Sequence, residues 1–350
     1  MKKQNLIIYA GNVTGIGASQ VVKNILNTLN SNYYSKIYNI KIYLPNQSDL
    51  IKHISNNWTV YFIKRYNNKY LHFLSRTIDI LSYFHNSNNN ELLINLGDLP
   101  LKYKGKQFLL FHNTNLLDFD NKYFSKYFII NKLFKRNIKY VNKIIVQSPI
   151  VKNLILNSIK KLELEISVIP MPVVLNYKSS NYKIFEKLNL FYPASYYKHK
   201  NFKLIQQLSK NYNSDKKLNI FLTIKNNQIE VKKNNINFNV TFLNQISHEQ
   251  VFKYYDQSFA LFFPSLKESY GLPLIESMLL NKLIICADLP YTRWLCEDEA
   301  IYFDPNSIIS AINAINKAIL KYENADFPNW SKPLKKIPDN WYNYVLNFLN

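Results

Sequence analysis

ESYGLPLIE, residues Glu268–Glu276, decides how this chain is read, because it joins an apolar run to a helix through a turn that few residue types can make. Upstream lies FALFFPS (Phe259–Ser265), short and aromatic, the composition of a buried strand. Downstream, LIESMLLN (274–281) reads as a helix and LIICAD (283–288) as the next strand. Gly271 can take the dihedrals of a tight turn, and Pro273 suits the first helical position, where its missing N–H costs nothing. Such a strand–turn–helix aims its first-turn amides, near Leu274 and Ile275, beyond the strand end, where an anion is favoured.

Outward from this stretch, short β-rich runs alternate with helix-length mixed segments. The first series is LIIYA (6–10), KIYL (41–44), VYFI (60–63), ELLINL (91–96), FLLFHN (108–113), KIIVQS (143–148) and ISVIP (166–170). The second is LFYPA (190–194), NIFLTI (219–224), VTFLNQ (240–245), ALFFPS (260–265), LIICAD (283–288) and IYFDP (301–305). This alternation predicts an α/β chain with mostly parallel sheets, and 350 residues at 47% apolar content suffice for two cores. MPVVLNYKSSNYK (171–183), polar and proline-flanked, reads as a linker. We therefore expect an N-terminal Rossmann-like domain over 1–175, a C-terminal one over 176–330 and a closing segment over 331–350. NSNNN (86–90) and the Asn- and Lys-rich stretch 225–239 read as loops or an exposed hairpin.

Lysine and arginine number 44 against 23 acidic residues, a formal charge of +21. That balance suits anionic partners such as nucleotides, phospholipid surfaces or nucleic acid; joint enrichment in Asn, Lys, Ile and Tyr makes compositional bias an equal explanation. Cys286 and Cys296 are too few for a disulfide framework and lack metal-ligand spacing, which fits a reducing cytoplasm. His53, His72, His85 and His248 show no ligand spacing either, so neither a metal nor a cofactor is expected. LIIYA is shorter than the apolar core of a signal peptide and reads as the first strand. No apolar stretch approaches the ~20 residues of a membrane span, so any membrane contact would be peripheral.

The chain holds only six glycines, three of them (Gly11, Gly15, Gly17) in one loop after the first strand. Glycine used so sparingly suggests a backbone that turns sharply or approaches a ligand, as at the carboxyl end of parallel strands; a plain tight turn is the other reading. It is not a dinucleotide fingerprint, since Gln20 stands where the third glycine belongs, and no Walker A lysine follows.

Two glutamates at a given spacing arise easily by chance, and the Gly-Leu-Pro interior supplies the specificity. ESYGLPLIE, with its strand ending in FPS, resembles the signature of retaining glycosyltransferases of the GT-B fold, in particular the large family four. The resemblance implies that Glu276 accepts hydrogen bonds from the donor ribose, that Glu268 lies against the transferred sugar, and that the backbone at Tyr270, Gly271 and Leu272 reaches sugar and diphosphate. Gly15 and Gly17 would join the donor site from the early loop. A second match is FYPASYYKHKNF (191–202), in which Lys200 corresponds to the lysine that binds the donor diphosphate. Many relatives carry an arginine where this chain has Ser195, and Lys198 is a candidate substitute. Family members also carry a histidine at the strand end occupied here by His112, which would make it a catalytic partner of Lys200 and Glu268; otherwise it is a structural hydrogen-bonding residue. Asp98, beside Gly97, reads as a turn cap, with acceptor binding as the alternative. WYNYVLNFL (341–349) is similar to a tryptophan-bearing C-terminal helix that crosses back onto the first domain.

The resemblance thus implies a GT-B chain, two Rossmann-like domains facing each other across a central crevice. Its implied activity is transfer of a sugar from a nucleotide-sugar donor, GDP-mannose first and a UDP-sugar second, to an oligosaccharide or lipid-linked acceptor with retention. The alternatives are a non-catalytic nucleotide-sugar-binding protein of that fold, or a basic membrane- or RNA-binding scaffold; no nucleic-acid motif accompanies the charge. The run 121–143 spaces lysine and arginine at helical intervals among aromatics, which suits peripheral contact with the anionic inner face of the cytoplasmic membrane, or a helix packed on the sheet with a solvated basic side.

Overall fold

The computed structural model describes residues 3–13, 16–46, 48–66, 68–82, 91–117, 126–159, 164–175, 187–232 and 235–349. Each of the thirteen β-rich runs read from the sequence coincides with a strand. The chain divides into two units, one of residues 1–172 with 338–350 and one of residues 173–337.

The first unit contains β1 (Gln4–Tyr9), β2 (Tyr38–Pro45), β3 (Thr59–Ile63), β4 (Leu92–Asn95), β5 (Lys106–Leu110), β6 (Lys143–Val146) and β7 (Glu165–Val168). Between them run α1 (Ile16–Leu29), α2 (Asn32–Ile37), α3 (Lys69–Leu81), α4 (Lys126–Asn137) and α5 (Pro149–Ser158). The sheet order is β3-β2-β1-β4-β5-β6-β7, and every pairing is parallel. Central strands buried on both faces explain the unbroken apolar runs: Ile144, Ile145 and Val146 are all fully buried. Edge strand β3 is largely exposed, and its Tyr61 stacks on Tyr43 of β2.

The second unit contains β8 (Leu188–Tyr192), β9 (Leu218–Leu222), β10 (Phe238–Phe242), β11 (Ala260–Phe263), β12 (Leu283–Ala287) and β13 (Ile301–Phe303). Its helices are α6 (Phe202–Asn211), α7 (His248–Asp256), α8 (Leu272–Leu279), α9 (Pro290–Cys296), α10 (Ile308–Glu323) and α11 (Ser331–Leu334). The order is β10-β9-β8-β11-β12-β13, again wholly parallel. In α10 the buried residues Ala311, Ala314, Ile315, Ala318, Ile319 and Tyr322 follow the 3.6-residue period and seat the helix on the sheet. Residues 225–232 and 235–237 form turns rather than a hairpin.

The closing helix α12 (Trp341–Leu349) packs on α1 of the first unit, burying Tyr344, Val345 and Phe348, while Tyr342 touches the rings of Tyr33 and Tyr34. The returning segment begins at Pro338, not at residue 331: α11 stays in the second unit and packs against α8. NSNNN (86–90), Gly15 and residues 121–125 of the basic run lie outside the described residues.

Both strand orders reverse direction once, between β1 and β4 in the first unit and between β8 and β11 in the second. At such a reversal the loops leaving neighbouring strands diverge to opposite faces, opening a crevice at the carboxyl edge of the sheet. In the second unit these are the loops that carry Lys200, after β8, and Glu268, after β11. In the first they carry Gly11 and Asn12, after β1, and Gly97 and Asp98, after β4.

Candidate active site

In the second unit, β8 leads into a single 3-10 turn, Lys198–Lys200, which Asn201 closes in the left-handed region (φ +52°) to start α6. The turn is fixed from below: the buried Tyr192 hydroxyl donates to the Lys200 carbonyl at 2.9 Å, and the Leu266 amide donates to the His199 carbonyl at 2.7 Å. That amide hydrogen bond holds the loops after β8 and β11 to each other, and Tyr291 of α9 anchors the latter by donating to the Ser265 carbonyl at 2.6 Å. Burial, with the Glu268 carboxylate close by, pushes the phenols of Tyr192 and Tyr291 upward, and both remain hydrogen-bond donors.

This framework brings Lys200 and Glu268 together, with Nζ to Oε1 at 2.5 Å and side chains only 15% and 14% exposed. Six residues beyond Ser265, Gly271 stands at φ +87° as the N-cap of α8. A side chain is excluded there twice over, by the left-handed backbone and by Leu274 and Leu295, each 3.1 Å from where a Cβ would lie. Leu272 is the first helical residue and Pro273 the second, one position later than the sequence suggests. The Leu274 amide is spent on the Gly271 carbonyl at 2.9 Å and does not serve an anion. The Tyr270 side chain is buried, so what this residue offers a ligand is its backbone.

One helical turn into α8, Glu276 is 12% exposed and held on both oxygens. Tyr255 donates to Oε2 at 3.0 Å, and His248 Nε2 lies 3.7 Å from Oε1. The carboxylate raises the His248 pKa, and burial with the same carboxylate raises that of Tyr255. Sequence reading missed both: His248 had no ligand spacing. The signal present was Ser247-x-x-Gln250, a capping box that starts α7 at His248 and so aims residues of one face at α8. Ser195 and Lys198 are exposed on the same loop as Lys200, with the Tyr197 ring stacked on His199 between them.

His112 and Gly17 belong to the first unit and are described there by themselves. His112 follows β5; its amide and that of Asn113 donate to Asp98 Oδ1 at 2.5 and 3.1 Å, which makes Asp98 a turn cap in the left-handed region (φ +62°). The His112 ring lies 3.8 Å from Asp98, and burial lowers its pKa, so it is neutral at pH 7. Gly17 sits in the first turn of α1 with open space where a Cβ would be. Gly11 and Gly97 are instead required by packing, against Ile63 and Tyr9 in one case and Asn12 in the other.

Around the β1–β4 reversal the first unit holds a polar cluster that the sequence did not reveal. Arg65 donates to the Gly11 carbonyl, the Tyr9 hydroxyl and Asn12 Oδ1 and pairs with Asp79. Asn12 Nδ2, both His112 nitrogens, both amide atoms of Gln147 and Arg76 Nε are buried without a partner among the described residues. Asn12 and Gln147 are 2% and 0% exposed. Unsatisfied buried polar atoms each cost about 1–3 kcal/mol, so this group of them, three following strands of one sheet and one on α3, is costly unless something outside the chain satisfies it.

Two parallel Rossmann-like units with a returning C-terminal helix define the class: this is a GT-B fold. The chain superposes on sucrose-phosphate synthase from Thermosynechococcus elongatus with a TM-score of 0.69 over 99% of this chain and 95% of that one, at 14% identity. Residues 178–328, the span that carries Lys200, Glu268 and Glu276, match the family Glycosyl transferases group 1. Similar proteins include the O-antigen chain mannosyltransferase RfbU of Salmonella typhimurium, 31% identical over 29% of this chain and 31% of that protein. Another is the serotype-specific mannosyltransferase WbdA of Escherichia coli, 30% identical over 27% of this chain and 12% of that protein. The matches thus span under a third of the length of these relatives.

Proposed function

We propose that this protein is a retaining glycosyltransferase of family four that moves a hexose from a nucleotide-sugar to a growing, lipid-linked surface polysaccharide. The observation that carries the reading is the Lys200–Glu268 contact at the β8–β11 reversal, a partly shielded cation beside a carboxylate where an anionic ligand would enter. GDP-mannose is the first donor to test, on the strength of the mannosyltransferase relatives, and a UDP-sugar the second.

In this reading the diphosphate binds Lys200, with Lys198 as the second cation where relatives have arginine and this chain has Ser195. The amides at Tyr270, Gly271 and Leu272 complete that cradle. Glu276, aligned by Tyr255, accepts from the ribose hydroxyls, and Glu268 contacts the sugar. As the anomeric C–O bond breaks, negative charge gathers on the departing diphosphate, and a preorganised cation stabilises it without reorganising. The acceptor oxygen attacks on the same face, and its proton passes to the leaving phosphate. Charge neutralisation by lysine makes the reaction independent of a metal ion or other cofactor. In the first unit, the unsatisfied groups of Asn12, His112 and Gln147 are the candidate acceptor contacts. A lipid-linked acceptor places the protein at the cytoplasmic face of the inner membrane, with the basic helix α4 towards the lipid.

Thermal denaturation against a panel of nucleotide-sugars tests this directly, since a ligand that binds only the folded state raises its melting temperature. The expected result is stabilisation by one nucleotide family, insensitive to chelators and abolished by Lys200→Ala. Absence of any nucleotide effect, or sugar transfer by Lys200→Ala at the unmodified rate, would sink the assignment. Gln147→Leu examines the acceptor side: it should leave donor binding and melting temperature intact and lower transfer.

A further inference from the structure

Arg76, on α3, is a cation that the folded first unit shields from water and leaves unpaired. Its Nε is buried, and among the described residues no hydrogen bond or ion pair reaches its guanidinium. Burial lowers its pKa, with the field of Asp98 acting in the opposite sense. The carboxylates around it are engaged elsewhere. Asp98 Oδ1 accepts from the His112 and Asn113 amides at 2.5 and 3.1 Å, and Asp79 is held by Arg65 and by the Tyr9 hydroxyl at 2.9 Å. Arginine withdrawn from water is ordinarily paired, because its charge is costly to bury alone.

Two more unused donors border the same loop. Asn12 lies against Gly97, the neighbour of Asp98. Arg65 takes Asn12 Oδ1, so what remains on that amide is its buried Nδ2, which has no partner. The His112 ring stands 3.8 Å from Asp98 with neither nitrogen bonded, and a neutral imidazole carries one N–H. The local field is positive: His72, also on α3, has its pKa lowered by burial and by both Arg76 and Arg65.

We propose that Arg76, with Asn12 and His112, binds an oxyanion carried by the acceptor, a phosphate ester or a carboxylate. The guanidinium fork matches two oxygens of such a group, and the amide and imidazole N–H groups complete its hydrogen bonds. A neutral hydroxyl would satisfy the amide and the ring but leave the buried charge as it is. Assigning this anion to the acceptor rests on the transferase reading; the anion site itself rests on these residues.

The test is the melting temperature of the full chain with inorganic phosphate, glucuronate or glucose, each against sodium chloride at equal ionic strength, because a chain of charge +21 gains from any anion. Phosphate or glucuronate should exceed chloride by roughly 2–4 °C at several times its dissociation constant, and glucose should not. Which of the two acts identifies the oxyanion. Lys200→Ala should keep this response, which separates the site from the donor diphosphate. Arg76→Met should lose it and, without ligand, melt no lower than the parent, since a buried unpaired charge opposes folding. Arg76→Lys, which keeps the charge but not the fork, should retain only part. No excess over chloride and glucose from either anion would overturn the proposal, as would an excess that survives Arg76→Met or vanishes in Lys200→Ala. A ligand-free Arg76→Met melting well below the parent would make the arginine structural and overturn it too. If nucleotides give no stabilisation while the phosphate or glucuronate response still follows Arg76, the anion site stands and the transferase reading falls.

Discussion

Lys200 Nζ and Glu268 Oε1 lie 2.5 Å apart although 68 residues separate them in sequence, and both side chains are mostly shielded from water. The pair exists because β8 and β11 are neighbours, because the Leu266 amide ties the β11 loop to His199 of the β8 loop, and because Tyr192 and Tyr291 anchor those two loops from beneath. Lys200 is therefore positioned before any ligand arrives.

Lys200→Ala should lower turnover by on the order of 10²–10³, the usual cost of losing a preorganised electrostatic donor. Glu268→Gln alone should also be damaging, since it frees the ammonium from its partner. Because the two act as a unit, their effects should not add: the second change should cost much less in the presence of the first. Initial rates of donor turnover across the four-member cycle decide this, and strictly additive losses would refute a coupled pair.

Tyr255→Phe removes one oxygen and leaves the ring packing untouched. A hydrogen bond to a charged acceptor is worth about 1.5–3 kcal/mol, so the melting temperature should fall. If Glu276 anchors the donor ribose, KM for donor should rise while kcat changes little, since the contact is uniform between ground and transition states. A collapse of kcat at constant KM would instead place Glu276 in the chemical step.

Gly271→Ala and Gly17→Ala should differ in sign. At Gly271 the left-handed backbone costs a non-glycine residue roughly 1–2 kcal/mol, and Leu274 and Leu295 would also have to give way. At Gly17, helical and open, alanine should stabilise by about 0.4–1 kcal/mol. Chemical denaturation measures both. A stabilised Gly17→Ala that binds donor less tightly would support the ligand role that the resemblance assigns to this glycine.

Two histidines should tilt the stability–pH profile in opposite directions. Burial depresses His112 below its ordinary pKa of ~6.5, so the unfolded chain binds the extra proton; stability from this group is present above ~6.5 and is lost as pH falls through that value towards the native one. Glu276 raises His248, so its contribution is full below ~6.5 and disappears as pH rises through the higher native value. His248 is 72% exposed, and solvent screening makes its share the smaller. Denaturation of His112→Gln and His248→Gln between pH 5 and 8 should flatten the acid-side loss and remove the acid-side gain respectively.

Much of this was legible in the chain itself. The apolar runs located every strand, and Gly271 followed by Pro273 located the start of α8, because strand alternation and helix caps are set within a few residues of each other. The motifs that carry Lys200, Glu268 and Glu276 were legible for the same reason, since each lies within a short strand-to-helix segment. What surrounds them was not. Tyr255 and His248 come from α7, Tyr192 from β8 and Tyr291 from α9, and no local pattern relates those elements to Glu268 or Glu276. In the first unit, no local pattern relates Arg65 to Gly11, Asn12 and Asp79, which it meets only in the folded sheet.

By itself, then, the sequence determined the elements and the two-unit α/β class, both of which follow from contacts between near neighbours along the chain. Tertiary structure alone decided the strand orders, and with them which loops flank each reversal, which charges pair and which polar atoms stay unsatisfied. The reason is that a parallel sheet joins strands only through long crossovers, so its pairings are set by how helices and strands bury one another and not by adjacency in sequence.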